Sequence, residues 1–293
     1  MKARFWAPLL FLSACTAPQP FLPPQVPLPI EPPMAPPVEN TVISPPPPIS
    51  GVETGWSRAG QGNVRPLQGG GAWLHEFSVR HESGAGAEVQ AVVFDVNACR
   101  LCVLDQPDSW AGGGAIDDVL DRAGAVAGVN GGFFSPEFAP LGLMMADGQR
   151  TGGWQANKLL TGALAVRNGV PQLEWNAESA RGAGCEAFLQ AGPRLVDAGR
   201  PMESLERTKV SARTFVATNG ANLWVLGTVR STTLAGLSAI LATRDFIPGL
   251  RIARALNLDG GRSSALHAWL SGGESVTEAG WSTVRNFVGV VPR

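Results

Sequence analysis

The chain has 293 residues and a formal net charge of −1, from 23 basic and 24 acidic side chains. The basic residues are scattered rather than clustered, so nothing recommends a nucleic-acid partner. With 44% hydrophobic residues the chain can bury one sizeable core.

Lys2 and Arg4 precede a short apolar run from Phe5 to Leu12, and Leu12-Ser13-Ala14-Cys15 supplies small residues at a cleavage point. Residues 1–14 read as a secretory signal, too short to span a bilayer as a helix. The Leu-Ser-Ala-Cys sequence resembles a bacterial lipobox, which implies a diacylated Cys15 as the mature N-terminus and a membrane attachment through it. Thr16, rather than an aspartate, follows, so in a Gram-negative host the expected place is the outer membrane, facing the periplasm.

Residues 16–50 hold fourteen of the 24 prolines, including Pro45 to Pro48, with almost no charge and no usable apolar period. They cannot build a core. In a polyproline II conformation this stretch would hold a domain roughly 100 Å from its lipid, so 15–50 is read as a tether and 51–293 as one globular domain. Cys99, Cys102 and Cys185 lie in an exported chain, where thiols tend to pair. One disulfide and one spare thiol are expected. Zinc is not, because no second Cys-x-x-Cys or close His pair exists.

Along the domain, Val92, Phe94 and Val96 alternate with smaller or polar residues, and Leu101 and Val103 resume the pattern, so residues 88–104 read as strands. Ile116, Val119, Leu120 and Ala123 recur at helical spacing before Gly124, which predicts a helix over 115–123. Val126 to Val129 read as a buried strand. Asp147-Gly148, Asn168-Gly169 and Asn219-Gly220 sit between apolar runs and predict three hairpins. A second helix is predicted over 233–244, from Leu234, Leu237, Ile240 and Leu241, with Ser231 or Thr232 as N-cap. Hairpins in those connections exclude a doubly wound parallel sheet. The expected class is α+β, with a mixed, largely antiparallel sheet and a few packed helices.

Two stretches share one grammar, in which a strand ends in a polar residue and two glycines. At Asn257-Leu258-Asp259-Gly260-Gly261-Arg262-Ser263-Ser264 the apolar residues pin a strand, the glycines admit a sharp turn, and the cation and hydroxyls supply donors of the kind phosphates attract. Such a loop alone also suits a tight turn with Asp259 as a turn residue. At Gly128-Val129-Asn130-Gly131-Gly132-Phe133-Phe134 the pattern repeats, and the two glycine pairs suit convergence on one ligand walled by an aromatic ring. Arg194 and Arg213 each adjoin strand-like sequence, and guanidinium forks suit phosphate oxygens. No Gly-x-Ser-x-Gly elbow, P-loop or His-Glu-x-x-His is present. A triad of Ser264, His267 and Asp259 is disfavoured by the shortness of the segment.

The order Asn130-Gly-Gly-Phe-Phe, Gly142, Asp147-Gly148, Ala191-Gly-Pro-Arg194-Leu-Val, Arg213-Thr and Asn257-Leu-Asp-Gly-Gly-x-Ser-Ser264 resembles the phosphodiester glycosidase family, from about residue 88 to 293. The resemblance implies hydrolysis of the bond between a sugar's anomeric carbon and a phosphodiester in a phosphoglycan, with no cofactor. It implies Asp259 as the base or stabilising carboxylate, and Arg213 and Arg194 with N–H groups near Gly131 and Gly260 as holders of the phosphate. Asn130 and Ser264 would orient substrate oxygens, and Gly132, Gly261, Arg262 and Ser263 complete the expected binding set. Family members often carry glycine where this chain has Arg262, which reads as an extra phosphate ligand, an obstruction of the pocket or a solvent-facing cation. A glycan-binding lipoprotein without turnover and a phosphodiesterase that breaks P–O are the rival readings.

Overall fold

The computed structural model describes residues 54–106 and 114–293. The leader, Cys15 and the proline-rich tether lie outside the described residues. The described residues fall in one compact unit, Pro47–Arg293.

The chain runs through β1 (Trp56–Pro66), β2 (Ala72–His81), β3 (Gly86–Asp95) and β4 (Cys99–Asp105) before α1 (Ile116–Arg122) and β5 (Ala127–Asn130). Two hairpins follow, β6 (Met144–Ala146) with β7 (Gln149–Thr151) and β8 (Gly162–Arg167) with β9 (Val170–Trp175). Next come β10 (Ala187–Ala191), β11 (Arg194–Asp197), β12 (Arg200–Pro201), β13 (Ser211–Thr218) and β14 (Leu223–Thr232). After α2 (Leu234–Ala242) the chain closes with β15 (Arg254–Asn257), a 3-10 turn (Gly261–Ser263), β16 (Leu266–Trp269), β17 (Ser275–Glu278) and β18 (Asn286–Pro292).

These strands build three sheets, ordered β1-β2-β3-β14-β13-β15-β11-β12, β7-β6-β10-β8-β9 and β17-β16-β5-β18-β4. The largely antiparallel expectation holds, but the helices are fewer than α+β implies. With 8% helix and 49% strand the molecule is mainly β.

The reason lies in how the sheets share their faces. Val92, Phe94, Val216, Leu226 and Leu256 from the large sheet meet Leu164, Leu173 and Leu189 from the second and Val129, Leu266 and Val288 from the third in one central core. The opposite face of the large sheet, with Val93, Phe215 and Val225, is covered by Leu237, Ile240 and Leu241 of α2. The opposite face of the third sheet is covered by Leu120 of α1. Two short helices suffice because most apolar strand surface is buried against other strands. For the same reason Ala91 and Val93, which alternate with Val92 and Phe94, are buried as well.

The Asp147-Gly148 and Asn168-Gly169 pairs have positive φ at both residues, as a two-residue hairpin turn requires. The third pair makes a longer loop. Gly220 alone has positive φ there, and the Asn219 side chain accepts from the N–H groups of Ala221 and Leu223.

The expected disulfide is absent, since Cys99, Cys102 and Cys185 are all free thiols. Cys99 and Cys102 stand an odd number of residues apart on β4, so they face opposite sides of the sheet. Cys99 joins the central core, Cys102 packs on the α1 side and Cys185 lies in a third cluster with Phe188. Burial pushes the Cys102 thiol up to about 11, which keeps it protonated and unreactive.

Both helices fall where expected, but α2 is capped by Thr233 rather than by Ser231 or Thr232. The Thr233 hydroxyl accepts from Gly236 N–H at 2.9 Å. Thr233→Ala should therefore lower the unfolding free energy by about 1 kcal/mol, read as a shift of the urea midpoint. An unchanged midpoint would mean that burial of Leu237 and Ile240 alone fixes the helix start.

Candidate functional site

The two glycine-pair stretches do converge. β5 ends at Asn130 and β15 ends at Asn257, and the turns that follow are stitched together where Asp259 N–H donates to Gly131 C=O at 2.9 Å. Two further strands close the place. Leu258 N–H donates to Thr214 C=O of β13 at 2.9 Å, and Gly131 N–H donates to Asn286 C=O at the start of β18 at 2.8 Å.

Asn130 is fully buried beneath this junction. Its Nδ2 donates to the Asp259 carbonyl at 2.7 Å, while its Oδ1 accepts from the Thr214 hydroxyl at 2.7 Å and from Ala265 N–H at 3.0 Å. The Thr214 and Ser264 hydroxyls lie 3.1 Å apart, both buried. Sequence reasoning assigned Asn130 and Ser264 to substrate oxygens. The structure gives both of them partners within the protein, and through these they brace the Asp259 turn.

The expected anion cradle is also occupied from within. Gly131 and Gly132 donate their N–H groups to the C=O and the Oδ1 of Asn286, the latter at 2.6 Å, and Gly260 N–H donates to Asp259 Oδ1 at 2.9 Å. Glycine is required at 131 for space, because a Cβ there would fall 2.0 Å from Asn286 Oδ1. Gly261 is required for its backbone, with φ +65°. Asn286 is buried, and its Nδ2 has no partner in the protein.

Asp259 itself is half-buried. Desolvation raises its pKa above the ordinary aspartate value, and hydrogen bonds from the Ser263 hydroxyl and Gly260 N–H only partly offset the rise. The turn therefore carries a carboxylate that is costly to ionise and correspondingly basic.

The two arginines fare differently. Arg213 lies beside Gly260 but is committed to β14 and the loop before β13. Its Nε donates to Thr232 C=O at 3.2 Å, one terminal nitrogen to Lys209 C=O at 2.6 Å, and Glu206 stands 3.8 Å away. On β13 it shares a face with Phe215, whereas Thr214 turns the other way, into the Asn130 network. Arg194 stacks on Trp175 with 5.3 Å between guanidinium and ring centre and pairs with Asp197 at 3.7 Å. Arg262 is exposed, its carbonyl accepting from Trp281 N–H at 2.7 Å. The structure thus joins Asp259, Asn130, Gly131, Gly132, Gly260 and Ser264, with Gly261, Arg262 and Ser263 on the same turn, and ties Arg194 and the Arg213 guanidinium to other partners.

His267 takes no part in a triad. It turns to the α1 side, where Nδ1 meets the Thr277 hydroxyl at 2.8 Å, while Ser264 faces Thr214. Among the described residues no three His, Cys, Asp or Glu side chains form a metal-binding cluster.

A model of the phosphodiester glycosidase family matches residues 123–291, more than half of the chain and the whole of the site. The chain belongs to the phosphodiester glycosidase family. Its fold is similar to the zebrafish N-acetylglucosamine-1-phosphodiester alpha-N-acetylglucosaminidase catalytic domain, described as auto-inhibited by its pro-peptide. That likeness has TM-score 0.55 and 13% identity, covering 81% of this chain and 88% of that one. A hypothetical protein from Synechocystis is similar with TM-score 0.54 and 15% identity, over 82% of this chain and 68% of that one. At such identities the two likenesses speak for the fold alone. No curated protein sequence matches.

Thr214 and Asn286 are the site residues that sequence reasoning passed over. Thr214 stood beside a more conspicuous arginine, and Asn286 is a lone polar residue opening the apolar run Phe287 to Val291. Thr214→Val, nearly unchanged in volume, removes one of the two donors to Asn130 Oδ1. It should lower stability by about 1–3 kcal/mol in urea unfolding. A variant as stable as the parent would show that the Asn130 network does not hold the turn.

Proposed function

We propose that this phosphodiester glycosidase hydrolyses the bond between a sugar's anomeric carbon and a phosphodiester in a cell-envelope phosphoglycan. The observation that carries the reading is the half-buried Asp259 carboxylate, hung at the meeting point of β5, β13, β15 and β18 in a chain of this family.

The departing phosphodiester is already a stable anion and scarcely needs a proton. One carboxylate therefore suffices, where glycosidases that expel an alcohol use two. Asp259 either activates water or stabilises the oxocarbenium-like state, and its raised pKa suits proton abstraction. The exposed Arg262 supplies a cation to the phosphate. The chain acts at the cell envelope in this reading, attached through a lipidated Cys15. An N-terminal peptide from an envelope fraction should carry a diacylated Cys15 by mass spectrometry; an intact Met1 would reject the anchor.

A second reading, a phosphoglycan-binding protein without turnover, is favoured by one feature. The glycine N–H groups and the Arg213 guanidinium that would stabilise developing charge already have protein partners. Hydrolysis of a sugar-1-phosphodiester in ¹⁸O-water separates the cases. Label in the sugar supports the proposal, label in the phosphate means P–O cleavage, and no product means binding alone.

Asp259→Asn should reduce kcat by at least about 100-fold, the lower limit for general-base help. Its effect on stability runs the other way. A carboxyl whose native pKa stands above its unfolded value loses stability as pH rises through that window, and the full cost is present at neutral pH. Asn keeps the acceptor for Gly260 N–H and removes the charge, so the variant should melt no lower than the parent at pH 7, with any advantage fading below the ordinary aspartate range. More than about a tenth of parental kcat, or a collapsed thermal transition, would make Asp259 a structural turn residue.

A further inference from the structure

Trp281 is 85% exposed, the most exposed of the large hydrophobic side chains described. It is not an isolated surface residue. Its N–H donates to the Arg262 carbonyl at 2.7 Å, and the Ser282 hydroxyl lies 3.5 Å from that of Ser263. The preceding Gly280 packs so closely on the turn that a Cβ would stand 3.2 Å from the carbonyl oxygens of both Arg262 and Ser263. The loop that displays the indole is thus seated on the back of the turn that carries Asp259.

Beside Trp281 a cavity of about 330 Å³ opens between this loop, the start of α1, Ala265 and strands β17 and β18. That volume lies at the lower end of the range for small-ligand sites. Its lining mixes apolar Ile116, Val284 and Phe287 with polar Asp117 and Thr277, and none of the described lining residues is cationic. Behind Thr277 the buried His267 ring holds the hydroxyl through Nδ1, while its Nε2 has no partner in the protein.

These features select a ligand chemistry. A phosphate or other anion would meet the Asp117 carboxylate inside the cavity, whereas the nearest described cation, Arg122, approaches only Gly114 at the cavity's edge and is not among its lining residues. An acyl chain would leave that carboxylate and the hydroxyls beside it without hydrogen bonds. A pyranose ring meets both demands, because one face of C–H groups lies flat on an indole and the hydroxyl rim pairs with a carboxylate and hydroxyls. We propose that this cavity is a second saccharide subsite, which takes an uncharged pyranose ring of the glycan that bears the phosphodiester. The proposal rests on the glycosidase reading for its substrate, and on the cavity itself for its ligand class.

The test pairs direct binding with kinetics. The first arm titrates the folded protein with neutral disaccharides of glucose, galactose, mannose and N-acetylglucosamine, followed by calorimetry and tryptophan fluorescence. At least one should bind in the millimolar range, and Trp281→Ala should weaken it about tenfold; the side chain is exposed, so an unchanged melting temperature is expected. The second arm compares a monosaccharide-1-phosphodiester with its disaccharide counterpart. Trp281→Ala should raise KM about tenfold on the longer substrate with little change in kcat, the mark of lost uniform binding, and leave the shorter one unaffected. No binding by any disaccharide, or binding indifferent to Trp281→Ala, overturns the subsite. Binding lost in Trp281→Ala with no hydrolysis of either substrate would leave the subsite standing and remove the glycosidase reading.

Discussion

The Asn130 side chain joins two sheets that share no strand. Asn130 belongs to β5 of a five-stranded sheet, and Thr214, which donates to its Oδ1, belongs to β13 of the eight-stranded sheet. The same amide holds the Asp259 carbonyl and Ala265 N–H, so one fully buried group spans both flanks of the turn. In the apolar interior each partner left unpaired would cost about 1–3 kcal/mol. The penalty makes the register between the sheets specific. Apolar packing alone tolerates small slides of one sheet over another, whereas a hydrogen bond of 2.7 Å does not.

From this constraint follows the character of the turn. With its backbone tied at Leu258, Asp259 and Ala265, the turn holds Asp259 half-buried, and desolvation raises its pKa. The glycine pairs, similar in sequence, serve different physical ends. Gly131 is a glycine because Asn286 occupies the space of its side chain, whereas Gly261 is one because the chain must reverse through positive φ. Reading both as anion cradles takes the residue type for the purpose. An N–H group is available to a ligand only when no acceptor within the protein already holds it.

The elements that could be read from the sequence were those whose signal is local. Helical spacing at 116 to 122 and 234 to 242, and the paired positive φ of Asp147-Gly148 and Asn168-Gly169, depend on residues close in the chain. Burial of both faces of β3 depends on α2, more than 130 positions away, and no window over 88–104 contains that information. The site followed the same rule. Ordered motifs brought Asn130 and Asp259 to attention, and the structure does join them, but the partner of a side chain is a long-range fact. Nothing near Arg213 in sequence says that the Lys209 and Thr232 carbonyls will hold it. Cys99 and Cys102 show the opposite case, since their odd spacing on a strand already forbids the pairing that an exported chain suggests.

The arrangement of charge around the turn bears on how one loop could serve a substrate that is anionic at one end and neutral elsewhere. Arg262 stands exposed on the turn, while the described lining of the cavity behind it includes the Asp117 carboxylate and no cationic residue. Fields of opposite sign are incompletely screened within one Debye length, about 10 Å at 0.1 M salt, so an anion is favoured beside Arg262 and disfavoured beside Asp117. The backbone bond from Trp281 to the Arg262 carbonyl fixes the spacing of the two regions. A glycine in place of Arg262 would remove the cation but leave that backbone bond intact.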